Sequence, residues 1–109
     1  MTVLELSEKL NLEILSLGAP SAEIDGVYAG DLLSWVMSHA QADNVWVTIM
    51  TNLNVIAVAS LVGTACVIIA ENAALDEEVI RTAREKEINL FRSTQPIFDI
   101  CRALSECLS

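Results

Sequence analysis

The chain reads as α/β, a small three-layer α/β/α domain with a mainly parallel central sheet. Three observations predict it. From Asn44 onward, β-rich pieces alternate with helix-like ones in the order β-α-β-α-β-α, which implies parallel strands joined by right-handed crossovers. The pieces VWVTIM (Val45–Met50) and ACVIIA (Ala65–Ala70) are continuously apolar, as strands covered on both faces are. Finally, 109 residues, 53% of them hydrophobic and 19% charged, suit one domain with a substantial core rather than a disordered chain. No repeat, low-complexity segment or long linker divides the chain, so a single unit over 1–109 is expected.

Each element has its local reason. A first helix from Val3 to Leu10, with Thr2 as its cap, puts Val3, Leu6 and Leu10 on one face. Leu12 to Leu17 reads as a short strand, followed by a loop through Gly18, Pro20 and Ser21, and Ile24 to Ala29 as a second strand of weak pattern. In YAGDLLSWVMSH, Gly30-Asp31 leads into an apolar run. That arrangement can aim backbone N–H groups at a ligand, but the plainer reading is a helix start at Asp31, with the helix ending near Ala42.

The strand Val45–Met50, the helix Asn54–Val62 and the strand Ala65–Ala70 follow. Asp76 to Glu87 is the clearest helix. Asp76, Glu77 and Glu78 place negative charge in its first turn, complementing the macrodipole, and Val79, Ile80 and Ala83 form a narrow buried stripe. Ile88 to Phe91 is a short strand. Pro96 opens a last helix in which Ile97, Cys101, Leu104 and Leu108 share a face.

Val45 to Ala70 carries no charged residue and is long enough to span a bilayer. Thr48, Thr51, Asn52, Asn54 and Gly63 break it into strand, helix and strand, and basic flanking anchors are missing, so no membrane segment is expected. The N-terminus has three glutamates among its apolar residues, unlike a secretory signal, and a cytoplasmic chain is expected. A net charge of −9 argues against nucleic acid as a partner. Three cysteines without a CxxC pair read as free thiols, and with His39 as the sole histidine no metal site is expected.

In parallel sheets ligands gather beyond the carboxyl ends of the strands. Here those ends read Thr51-Asn52-Leu53-Asn54, Glu71-Asn72-Ala73 and Ser93-Thr94-Gln95. The candidate ligand-binding set is therefore Thr51, Asn52, Asn54, Glu71, Asn72, Ser93 and Thr94, although helix capping explains the same residue types. Arg92 is the one cation beside this rim, so an anion would have to lean on backbone N–H groups. No GxxxxGK[ST] or GxGxxG occurs, and any nucleophilic triad would have to recruit His39 near a helix end; no catalytic residue and no cofactor is expected. Trp35, close to Leu32 and Met37, and Trp46 read first as core and next as interface anchors, with a homodimer expected.

The runs GDLLSWVM, VWVTIMTNLNVIAVASLVGTACVIIAEN and DEEVIRTAREKEINLFRSTQPIFDICRAL together resemble the DRTGG domain, over roughly positions 24–105. That family is an accessory module of certain phosphate acetyltransferases and regulated pyrophosphatases, and is similar to the N-terminal domain of HPr kinase/phosphatase. The resemblance implies an α/β/α regulatory module that associates with itself or with partners and senses a nucleotide. It also implies that Gly30-Asp31 is a helix cap fixing a turn. Where the family commonly has Asp-Arg this chain has Thr51-Asn52, and where it often has Thr-Gly-Gly this chain has Ala70-Glu71-Asn72. The first change removes a phosphate partner and the second adds like charge against an anion.

The function expected is thus a non-catalytic regulatory or protein-interaction domain, sensing a small molecule such as an adenine nucleotide at the strand ends. The alternatives are a subunit that docks on a metabolic or redox enzyme without a ligand, and a kinase-related enzyme.

Overall fold

The uncharged tract folds back on itself. A computed structural model describes residues 1–108. In chain order its elements are α1 (Val3–Lys9), β1 (Glu13–Ser16), β2 (Val27–Ala29), α2 (Leu33–His39), β3 (Val45–Thr48), α3 (Asn54–Val62), β4 (Cys66–Ile69), α4 (Glu77–Glu85), β5 (Leu90–Arg92) and α5 (Ile97–Leu108). Val45 to Ala70 thus becomes β3, α3 and β4, and among the described residues no helix is long and apolar enough to cross a membrane.

The sheet has five strands in the order β1-β5-β4-β3-β2. β2 to β5 are parallel, with Val47 beside Ile68 and Ile68 beside Phe91. β1 runs antiparallel on the β5 edge, with Glu13 beside Arg92. Every residue of β3 and β4 is buried, as their apolar sequences require, because the pleat sends alternate side chains into two separate cores. Trp46, Val67, Ile69 and Leu90 face α2, α3 and α4, meeting Val36, Val55, Ala59, Val79 and Ala83. Val45, Val47, Cys66, Ile68 and Phe91 face the opposite way, onto Val3 and Leu6 of α1 and Ile100 and Leu104 of α5.

Local chemistry sets the ends of the helices. Thr2 caps α1 in a reciprocal box with Glu5: the Glu5 N–H donates to Thr2 Oγ1 at 3.2 Å and the Thr2 N–H to Glu5 Oε1 at 2.9 Å. α3 stops at Gly63, whose φ of 79° turns the chain left-handed and lets its N–H reach the Ala59 carbonyl. α1 and α5 cover the same face, and the start of the chain rests on the last turn of α5, with Met1 Sδ 3.8 Å from Cys107 Sγ.

Two expectations are corrected. Asp31 does not open α2, which starts at Leu33 with Leu32 as a cap that makes no side-chain bond. The Asp31 carboxylate instead accepts from Thr48 Oγ1 at 2.7 Å and from the Ile49 N–H at 2.9 Å. The reason lies in the ladder: pairing of β2 with β3 ends at Ala29 beside Val47, leaving the next N–H of β3 without a strand partner, and Asp31 supplies the acceptor. Trp35 is not core. It is exposed and stacked on the His39 ring, while Trp46 is fully buried and donates its Nε1–H to the Gly30 carbonyl at 2.9 Å. The core-facing side of α2 is filled by Val36 and Ala40, which leaves Trp35 on its flank.

Candidate functional site

A cleft forms where the connections of neighbouring parallel strands leave the sheet on opposite sides. β2, β3 and β4 are all followed by helices on one face, so the turns after β3 and β4 run alongside each other without parting. β5 is the exception, because α5 covers the other face. The loops after β4 and β5 therefore lead to opposite faces, and beside the β5 loop lies a cleft of about 300 Å³ lined by Asn72, Arg92, Ser93, Thr94 and Gln95, with Leu10, Asn11 and Glu13 of the α1–β1 region opposite. It shares Leu10, Ser93 and Gln95 with a larger groove of about 600 Å³ that runs between α1 and α5. Leu12, Ile100 and Ala103 give that groove apolar lining, and Lys9, Asp99, Glu106 and Cys107 supply polar groups along it.

The candidate residues separate accordingly. Asn72, Ser93 and Thr94 come together in the cleft. Thr51, Asn52 and Asn54 sit at the β3–α3 turn, where the Asn54 N–H donates to Asn52 Oδ1 at 2.9 Å, a local cap at the start of α3. Glu71 adjoins the cleft through its backbone. Glu71 and Asn72 both adopt left-handed φ, 58° and 51°, so that their N–H groups turn towards the β5 loop and donate to the carbonyls of Gln95 at 2.9 Å and Ser93 at 2.7 Å. Those two N–H groups are thereby occupied. The Gln95 N–H in turn donates to Ser93 Oγ at 3.1 Å, which fixes the hydroxyl at the mouth of the cleft.

Arg92 is engaged as well. Its Nε–H and one terminal N–H donate to the two oxygens of Glu13 at 2.8 and 3.1 Å, and the other terminal nitrogen donates to the Ala73 carbonyl at 3.2 Å. Hydrogen bonding from Arg92 holds the Glu13 carboxyl below its ordinary range, and Glu13 raises Arg92 in return. The cleft thus offers three side-chain amides, two hydroxyls and a neutralised ion pair, chemistry suited to hydrogen-bonding an uncharged polar group.

Sequence reasoning missed Glu13, Asn11 and the α1–α5 groove. Glu13 meets Arg92 only through the antiparallel β1–β5 pairing, for which no hairpin signal exists, since the two strands lie far apart in the chain. His39 sits on α2, its Nδ1 3.0 Å from the Trp35 carbonyl, and does not line the cleft.

No protein-family profile and no curated protein sequence matches the chain. In three dimensions it is similar to the CBS and DRTGG domains of the regulatory region of Clostridium perfringens pyrophosphatase, a crystal structure complexed with the activator diadenosine tetraphosphate. The TM-score is 0.71 at 10% sequence identity, and the match covers 94% of this chain and 45% of that one. The chain therefore spans less than half the length of that regulatory region. At this identity the likeness is one of architecture: five helices around a five-stranded, mostly parallel sheet make this a CBS/DRTGG-like α/β fold.

Proposed function

We propose that the chain, acting as one unit over 1–109, is a non-catalytic regulatory domain that senses a small molecule in the cleft that Asn72 and the β5 loop form with the α1–β1 turn. The observation that carries this reading is the gathering of Asn72, Ser93 and Thr94 in one cleft, on a fold like that of a regulatory region complexed with a nucleotide activator. With Arg92 tied to Glu13 and the Glu71 and Asn72 N–H groups already bonded, the cleft holds its ligand by an uncharged polar part. For an adenine nucleotide that part is the base or the ribose, and the phosphates contribute little. A non-catalytic role is supported by the likeness of the fold to a regulatory region rather than to a catalytic domain.

Thermal-shift titration with adenosine, AMP, ATP and diadenosine tetraphosphate tests the proposal. Adenosine and AMP should each raise the unfolding temperature by comparable amounts. Asn72→Ala should abolish the shift while Asn52→Ala leaves it intact. No shift with any of the four compounds, or turnover of ATP by the pure protein, would overturn it.

A further inference from the structure

Helix α3 carries no charged residue, and its only polar side chains are Asn54 and Ser60. Val55, Ile56, Val58 and Ala59 are buried against the sheet layer. The opposite side, formed by Leu53, Ala57, Ser60 and Leu61, is open, with Leu61 73% and Leu53 41% exposed. A helix apolar on both sides is one that is covered on both sides. On the neighbouring helix α2, Leu32 is 63% and Trp35 57% exposed, and Trp35 stacks on His39 with ring centroids 4.5 Å apart.

Charge identifies what covers this face. Between Leu32 and Ala70 the one acidic side chain is Asp43 and the one basic side chain is His39, in a chain of net charge −9. A basic partner would be drawn to the acidic remainder of the molecule and would gain nothing on the neutral helices. A second copy is repelled by every acidic face but meets little repulsion here. A two-fold arrangement also sets each apolar stripe against an identical one, so the partner has the required surface by construction. Ala57 and Ser60, between the two leucines, let the α3 helices approach closely. We infer that the outer faces of α2 and α3 join two copies of this chain in an isologous dimer. The inference is independent of the small-molecule reading.

Sedimentation of the full chain over a range of concentrations and salt tests this. The wild type should be dimeric, and added salt should leave the dimer unchanged or tighten it, because salt screens the mutual repulsion of two acidic bodies. Leu61→Asp should weaken dimerisation at least tenfold while keeping cooperative unfolding. Phe98→Asp, at an equally exposed position on α5, should leave the dimer as it was. A wild type that stays monomeric throughout, including one that instead captures a different protein, overturns the inference. So does a dimer broken by Phe98→Asp but not by Leu61→Asp.

Discussion

Glu13 grips Arg92 through both carboxylate oxygens, across the antiparallel pairing of β1 with β5. This fork-to-fork contact neutralises the cation closest to the cleft, and it can be released by a single substitution. Glu13→Gln should free the guanidinium and tighten binding of a phosphate-bearing ligand by roughly three- to tenfold, with adenosine unaffected, as calorimetric titration would show. Glu13 is half-exposed, so solvent screens the pair and its share of stability is small, on the order of 0.2–1 kcal/mol. That share carries a definite pH sign. The Glu13 carboxyl is held below 4.5 in the folded protein, so its contribution is intact above 4.5 and is lost as pH falls through the lower folded value. Acid unfolding of Glu13→Gln should accordingly be shallower.

The Asp31 latch predicts a measurable loss. In Asp31→Ala the Ile49 N–H and the buried Thr48 hydroxyl lose their acceptor. Urea unfolding should show a destabilisation of about 1–2 kcal/mol. Asp31→Asn keeps a carbonyl oxygen in place and should lose less.

Glu71 is strained at its φ of 58°. Glu71→Gly removes a penalty of about 1–2 kcal/mol while adding about 0.4–1 kcal/mol of unfolded-chain entropy. A net gain of about 0.5–1 kcal/mol is expected, read as a higher unfolding temperature. Asn72→Gly should gain less, because asparagine tolerates the left-handed region better.

Burial pushes the Cys66 thiol up to about 12, and burial also raises Cys101. Since the thiolate is the nucleophile, an alkylating reagent at pH 8 should leave Cys66 unmodified until the protein unfolds, which peptide mass mapping would reveal. Cys107, on the groove, should be modified in the native state. The linkage runs opposite to that of Glu13: the Cys66 contribution is intact below pH 9 and is lost as pH climbs from 9 towards 12.

Much of the architecture was legible in the residues. The α3 boundaries were read to the residue, because asparagines open it and Gly63 closes it, and the continuous apolar runs of β3 and β4 announced strands covered twice. Trp35 was misread because its closeness to Leu32 and Met37 cannot say which flank of a short helix meets the sheet. The cleft was half legible. Asn72, Ser93 and Thr94 were found from the rule about strand ends, but that rule does not say which strand ends line the cleft. The answer depends on α5 taking the opposite face from α4, a fact of topology rather than of local sequence. At Glu71-Asn72 the sequence departs from the glycine pair of the family it resembles, yet both residues take up the left-handed backbone that glycine favours.

The contact between Met1 and Cys107 brings the residue before α1 and the last turn of α5 to one corner of the described molecule. A domain closed in this way can be spliced into a surface loop of a host protein without prying that loop apart, because chain enters and leaves at nearly the same point. It can equally be sealed head to tail by a short glycine-rich bridge and reopened elsewhere, with its sheet and both cores undisturbed.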